Sequence, residues 1–291
     1  MIISHIIGGL GNQMFQYAAG RALAIAHQQP LLLDIADFAD YPLHQGFELT
    51  RVFNGAISTA SKAEIQNVLG WQANKRIKTR LTYPHWAILR NRHFIVEPHF
   101  NYWAGIQQLP SSAYLFGYWQ SERYFQAIAE LIRTDFAFKQ PFSEKNADLA
   151  QQISQVNAVS IHVRRGDYVQ NPAANAVHGL CSLAYYQAAV LAMSQRVEQP
   201  TFFVFSDDIE WVKANLPLSS CQYISHNQGI DSYNDMRLMS LCQHHIIANS
   251  SFSWWGAWLN PSPTKIVIAP KKWFAIDNNI SDLLPQEWIS L

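Results

Sequence analysis

Charge is scarce in this chain. Only 14% of its 291 residues are charged, and 21 Lys and Arg are balanced by 21 Asp and Glu. A net charge of zero argues against nucleic acid, or an anionic membrane, held by a broad basic field. Cysteine is rarer still. Cys181, Cys221 and Cys242 show neither paired nor metal-like spacing, which suits a reducing compartment and a fold without disulfides. No apolar run approaches the roughly 18 residues that would predict a membrane span. The N-terminal Met1–Ile7 stretch lacks a basic flank and a cleavage site, so it does not read as a signal peptide. The expectation is a cytoplasmic protein, with a peripheral position at the inner membrane as the variant of it.

Familiar catalytic signatures are absent as well. There is no GxGxxG, no Walker Lys followed by Ser or Thr, no serine in a nucleophile elbow, no HExxH and no CxxC. His244 and His245 are adjacent, so in a strand they point to opposite faces and do not share a metal. Asp207-Asp208 resembles a DxD metal motif only loosely, and no third ligand lies nearby in sequence. No metal site is expected.

What the chain does have is apolar mass. Hydrophobic residues make up 49% and aromatics 13%, with ten Trp. That is enough for two globular domains of roughly 150 residues each. The tryptophans are expected mainly in the core, as large aromatics usually are. Ile2–Ile7, a Gly-rich turn, a helix over 13–27 and a second strand at Leu31–Asp34 read as a βαβ unit. Residues 37–110 lack clear periodicity and read as an irregular insertion. Its basic run, Lys75 to Arg80, is expected to be a solvated face; the alternative is a contact with a lipid pyrophosphate. A strand over 114–119 and a helix over 122–133 follow, then a linker around 136–147. Beyond it, strands at 158–163, 201–205, 222–225, 245–248 and 265–269 alternate with helices at 182–196, 208–216, 232–242 and 251–259. The class is α/β, with domains 1–145 and 146–291.

Ligands of such sheets bind at the carboxyl ends of the strands. Three polar clusters fall there. In His162-Val163-Arg164-Arg165-Gly166-Asp167, the two arginines diverge, so one can fork onto a diphosphate while the other pairs with Asp167. In Ser206-Asp207-Asp208, a helix cap is expected, and one carboxylate is free to accept from a guanine. In Asn249-Ser250-Ser251-Phe252-Ser253, hydroxyls and first-turn amides make an anion site at a helix N-terminus. A fourth element, Gly8-Gly9-Leu10-Gly11-Asn12-Gln13, is a tight turn that allows close backbone approach, with Asn12 as a possible donor to a phosphate or sugar oxygen.

Three blocks together carry a family resemblance: Gly8–Ala18 (GGLGNQMFQYA), His162–Asp167 (HVRRGD) and Asn249–Leu259 (NSSFSWWGAWL). Their order and spacing resemble the α-1,2-fucosyltransferases of glycosyltransferase family 11, in their bacterial, anchorless form. The resemblance implies GT-B architecture, two Rossmann-like domains facing across a cleft, the first on the acceptor side and the second binding GDP-fucose. It implies inverting, metal-independent transfer of L-fucose from GDP-β-L-fucose, with no cofactor, to O2 of a terminal β-galactoside, free or in a lipid-linked oligosaccharide. By that resemblance, Arg164 neutralises the departing diphosphate, His162 and Asp207 or Asp208 read guanine, and Ser251 and Ser253 hold phosphate. Asn249, Ser250 and Phe252 complete that block; Gly11, Asn12 and Gln13 meet the donor from the first domain. Related α-1,6 enzymes carry a Glu shortly after the arginine motif, whereas the loop here, Tyr168 to Ala173, has none. Asp167 and His178 are the candidates for a base, with Arg165 positioned by Asp167; proton transfer to the leaving phosphate needs no base. Two other readings are a GT-B enzyme with a different nucleotide sugar and a non-catalytic carbohydrate-binding protein.

Overall fold

The computed structural model describes residues 1–40, 44–166, 176, 179–276 and 278–291. The chain divides into two compact units, Met1–Lys139 with Asn279–Leu283, and Gln140–Asn278 with Leu284–Leu291.

The first unit begins with β1 (Ile2–His5), α1 (Leu10–Ala26) and β2 (Leu31–Asp34), and β1 and β2 pair in parallel. The turn between β1 and α1 needs glycine. Gly8 has φ +86°, and a Cβ there would lie 2.8 Å from the Asn12 side chain. Gly20 lets α1 lie close on the sheet, because a Cβ would stand 2.9 Å from Leu31 Cδ1. Short elements follow: α2 (Leu49–Val52), α3 (Lys62–Leu69), α4 (Lys75–Leu81), β3 (Phe94–Val96), β4 (Ala113–Phe116) and α5 (Ala129–Asp135). The four strands form a parallel sheet in the order β2-β1-β4-β3. Ile65, Val68 and Leu69 of α3 and Leu81 of α4 pack with Ile3, Phe94 and Tyr114 into one core.

Two expectations shift here, each for a visible reason. The strand predicted over 114–119 stops at Phe116, because the Glu97 carboxylate takes the amides of Tyr118 (2.7 Å) and Trp119 (3.0 Å) away from the ladder. The helix predicted over 122–133 starts as two 3-10 turns, Glu122–Tyr124 and Gln126–Ile128. Between them Phe125 buries its ring with φ −134°, so α-helix begins only at Ala129.

The second unit alternates more regularly. It runs α6 (Glu144–Ser154), β5 (Ala158–Val163), α7 (Leu183–Ser194), β6 (Thr201–Ser206), α8 (Ile209–Asn215) and β7 (Cys221–Ile224). Then come α9 (Tyr233–Leu241), β8 (His244–Ile246), α10 (Ser251–Leu259), β9 (Val267–Ala269) and β10 (Ile289–Ser290). All ladders are parallel, in the order β10-β9-β8-β5-β6-β7. One core joins Val159, Ile161 and Val163 of β5 to Tyr186, Ala189 and Met193 of α7 and Val212 of α8. Trp254, Trp255 and Trp258 are buried, as the composition led one to expect, and Trp254 packs on Trp288 at 5.4 Å between ring centroids. Gly256 allows α10 to approach α9, since a Cβ would come within 3.1 Å of Met239.

The strand order places the functional ends. From β5 the chain moves outward through β6 to β7, then returns to the opposite side of β5 as β8. This reversal is the point at which open parallel sheets part their loops and admit ligands.

Candidate active site

Three strand ends meet at that reversal. Val163 at the end of β5 is in register with Ser206 at the end of β6, and Ile161 with Ile246 of β8. The arginine motif therefore sits between Ser206–Asp208 on one side and the segment leading to Ser250 on the other.

His162 is the penultimate residue of β5 and is almost wholly buried. Its ring lies 5.8 Å from that of Phe252 in the first turn of α10. Burial, reinforced by the Arg164 charge, pushes its pKa down to about 3, so the imidazole stays neutral. Nδ1 has no hydrogen-bond partner among the described residues. A buried polar atom left unpaired costs on the order of 1–3 kcal/mol.

The two arginines follow the end of β5 and both reach the adjacent carboxylates of Asp207 and Asp208, in different ways. Arg164 Nε stands 3.6 Å from Asp207 Oδ2, with its side chain about a quarter exposed. Arg165 is pinned. Its guanidinium lies 3.8 Å over the Trp211 ring, its Nε reaches Asp208 Oδ2 at 3.3 Å, and its amide donates to Asp207 Oδ1 at 2.8 Å. Asp208 also caps α8, accepting from the Trp211 amide at 3.2 Å. Gly166 makes room for this arrangement, since a Cβ would be 3.1 Å from Asp207 Cγ. Trp211 was not singled out from the sequence. Its signal was its place three residues after the cap, where an aromatic ring turns back towards the strand end.

At β8 the block Asn249–Ser253 divides between frame and site. Asn249 donates to the carbonyls of Gly179 (3.2 Å) and Trp273 (3.1 Å) and accepts from the Cys181 thiol (3.3 Å). It ties three chain segments together. Ser253 is fully buried, with its hydroxyl on the carbonyls of Ala248 and Ser250. Ser250 holds the N-cap position without a side-chain cap bond, and Ser251 and Phe252 are half-buried beside it. The first-turn amides of α10 carry the positive end of the helix dipole.

In the first unit Gln13 is likewise committed. It donates to the carbonyls of Gly8 (2.9 Å) and Gly46 (2.8 Å) and accepts from the Glu48 amide (2.9 Å). Gly11 is buried in the first turn of α1. Asn12 is half-buried and accepts from Gln120 at 2.7 Å. Missed entirely was a polar cluster at the ends of β1, β2 and β4. His5 stacks on Phe116 at 4.6 Å and meets Asp37 at 2.9 Å, and its hydrogen bond holds the Asp37 carboxyl far below its ordinary range. Lys78 Nζ meets Asp34 at 2.6 Å and donates to the Tyr114 hydroxyl at 2.8 Å. Polar residues closing two apolar strands were its available signal. Asp167 and His178 lie outside the described residues. Among the described residues no three His, Cys, Asp or Glu gather as a metal site, and no helix is long and apolar enough to cross a membrane.

A family model described as Glycosyl transferase family 11 matches residues 65–291. An alpha-1,2-colitosyltransferase of Escherichia coli is 37% identical, covering 100% of this chain and 99% of its own. The O-antigen biosynthesis glycosyltransferase WbnK of Escherichia coli is 33% identical, covering 99% of each. Human galactoside alpha-(1,2)-fucosyltransferase 1 is 28% identical over 50% of this chain and 42% of its own. Among solved structures, the fucosyltransferase NodZ from Bradyrhizobium superposes with a TM-score of 0.55 at 14% identity, covering 89% of this chain and 92% of that one. At that identity the likeness speaks for the fold, which is GT-B.

Proposed function

Because the chain belongs to glycosyl transferase family 11 and is a glycosyltransferase, we propose that it transfers L-fucose from GDP-β-L-fucose, with inversion and without a metal, to O2 of a β-galactoside. The observation that carries this reading is Arg164, paired with Asp207 and two residues after the buried, neutral His162 at the sheet's reversal point. In the reaction the acceptor hydroxyl attacks C1, the bond from C1 to the β-phosphate oxygen breaks, and GDP leaves with the electron pair. Arg164 neutralises that developing charge, with the α10 first turn and Ser250 and Ser251 on the phosphates. His162 offers Nδ1 to the nucleoside. Asp208 is bound into its helix cap, so Asp207 Oδ2 is the oxygen we assign to guanine. Gln13, Asn249, Ser253 and Arg165 become frame residues, and Asn12 and Gly11 the first unit's contribution to the donor. We assign the acceptor proton to the leaving phosphate, with Asp167 and His178 as the alternative bases.

The colitosyltransferase relative supports one second reading. Colitose is L-fucose without its 3-hydroxyl, so the same diphosphate machinery serves a donor lacking that group. The O-antigen relative supports a lipid-linked glycan as acceptor, met in the cytoplasm at the inner membrane face. The test is an assay of GDP-fucose and GDP-colitose against β1,3- and β1,4-linked galactosides, with NMR of the product. An α-1,2-fucosyl product is expected, and activity should persist in EDTA. Transfer from neither donor, or activity lost in EDTA and restored only by Mg²⁺ or Mn²⁺, would overturn the reading. Arg164→Ala should lower turnover by on the order of 10²–10³ while leaving the fold intact.

A further inference from the structure

Between Glu64 and Glu97 the chain carries six Lys or Arg and no carboxylate, although the whole protein is neutral. The same stretch buries Ile65, Val68, Leu69, Leu81 and Phe94 in the core but leaves a second set of large apolar side chains exposed. Ile88 is 91% exposed, Trp71 62% and Tyr83 54%, and Trp86 and Leu89 are exposed beside them. Single exposed apolar residues are ordinary; a cluster with two tryptophans at its centre marks an interaction surface.

The backbone under this cluster is built to present it. Arg90 donates to the carbonyls of Leu81 (2.6 Å), Thr82 (3.1 Å) and Tyr83 (3.3 Å), closing the end of α4 and fixing the turn into the 3-10 helix Pro84–Leu89. Gln72 donates to the Leu89 carbonyl at 2.7 Å and accepts from the Asn91 amide at 3.1 Å. This ties the turn that carries Trp71 to the end of the 3-10 helix. Tyr83 stacks on His85, whose ring meets that of Trp86 at a tilt, 5.6 Å between centroids. On α4, Lys78 and Leu81 face inward, while Arg76 and Arg80, one turn apart, are both exposed. Arg92 is exposed on the other side of the 3-10 helix.

Two aromatic rings with polar edges, aliphatic side chains between them and arginines around them make the composition of an interfacial anchor: rings at headgroup depth, aliphatics beneath, cations on phosphate. We propose that residues 71–92 form a docking face for a bilayer of anionic phospholipid. Charge complementarity selects this occupant. A second copy of the same face would set arginine against arginine, whereas an anionic headgroup layer meets both the apolar centre and the cationic rim. The neutral net charge is no obstacle, because attraction at a membrane acts within a Debye length and is set by the local patch. The inference extends the membrane-side position proposed above, and its test does not depend on sugar transfer.

The experiment is co-sedimentation of the whole protein with vesicles of equal parts phosphatidylglycerol and phosphatidylethanolamine, and with vesicles of phosphatidylcholine alone. The wild-type protein should bind the anionic vesicles and largely ignore the neutral ones, with binding falling as salt rises. Trp86→Ser with Ile88→Ser, and separately Arg76→Glu with Arg80→Glu, should each weaken binding by about tenfold or more. Both variants should keep wild-type thermal unfolding and activity on a soluble galactoside. The arginine pair tests the proposal even if the apolar pair folds poorly. No binding by the wild-type protein, equal binding by the arginine variant, or a wild-type dimer that Trp86→Ser and Ile88→Ser dissociate would overturn it.

Discussion

Two adjacent arginines do different work because of what lies beside them. Arg165 is sandwiched between Trp211 and Asp208, so its loss removes a cation–π contact and a partner of the α8 cap. Arg165→Ala should destabilise the protein by about 1–2 kcal/mol, read from urea midpoints. Arg165→Lys should recover little of it, since the planar stack is lost. Arg164→Ala should leave the midpoint in place and remove turnover; the reverse pattern would exchange their roles. Asp235 and His162 contribute to the pH dependence of stability with opposite signs. Burial lifts the Asp235 carboxyl to about 7 from its ordinary 3.8, against the Asn227 hydrogen bond at 2.7 Å that favours its ionised form. Between those values the folded state holds a proton that the unfolded chain has released, so this group's contribution falls as pH rises. His162, lowered from 6.5 to about 3, acts oppositely: its contribution rises with pH across that interval. Each slope is about 1.4 kcal/mol per pH unit, so the two largely cancel where they overlap. Asp235→Asn, which keeps the acceptor for Asn227, should make stability rise more steeply with pH than in the wild type inside the overlap, and His162→Phe should change the slope in the opposite direction. Urea midpoints at two pH values in that window check both signs.

Elements differ in how openly their residues declare them. In the second unit β5 and β6 are mostly apolar runs, and α7 and α8 each start on a side-chain cap, Ser182 and Asp208, so the alternation and the strand-end clusters could be read directly. α3 was equally marked, by Ser61 and Glu64 three apart ahead of Ile65, Val68 and Leu69, but it lay in a stretch read as irregular. β3, only three residues long, is too short to show a period, and it exists because Phe94 pairs with a distant strand. Within the site, residue types were legible and partners were not. Nothing local says that the Asn249 amide is taken by Gly179 and Trp273, or that Gln13 is taken by Gly46 and Glu48. Two serines at helix starts make the contrast testable. Ser61 closes a full capping box, its hydroxyl accepting from the Glu64 amide at 3.2 Å, and Ser61→Ala should cost about 1 kcal/mol. Ser250 makes no such bond, so Ser250→Ala should leave thermal unfolding unchanged and raise KM for the nucleotide sugar. A stability loss at Ser250 equal to that at Ser61 would make it a cap and no more.

At the scale of the molecule, the last thirteen residues serve both units, and no local pattern in them says so. Asn279–Leu283 belong to the first unit, where Asp282 meets Arg123 at 2.6 Å and the Tyr102 amide at 3.2 Å, and Leu283 is buried. Leu284–Leu291 belong to the second, where β10 adds to β9 and Trp288 packs on Trp254. The two attachments differ in kind. Arg123 is half exposed, so its ion pair is screened by solvent and contributes little, while Trp288 is 6% exposed against a ring cluster. Asp282→Ala should therefore lower stability by no more than about 1 kcal/mol. Trp288→Ala, which empties a large volume that α10 cannot collapse to fill, should cost about 3–5 kcal/mol. A chain ending at Asn278 loses both attachments together with Leu283 and the β10 ladder, and its urea midpoint should lie below that of either single variant. If Asp282→Ala proved as damaging as Trp288→Ala, the ion pair and not the buried ring would be what secures this terminus.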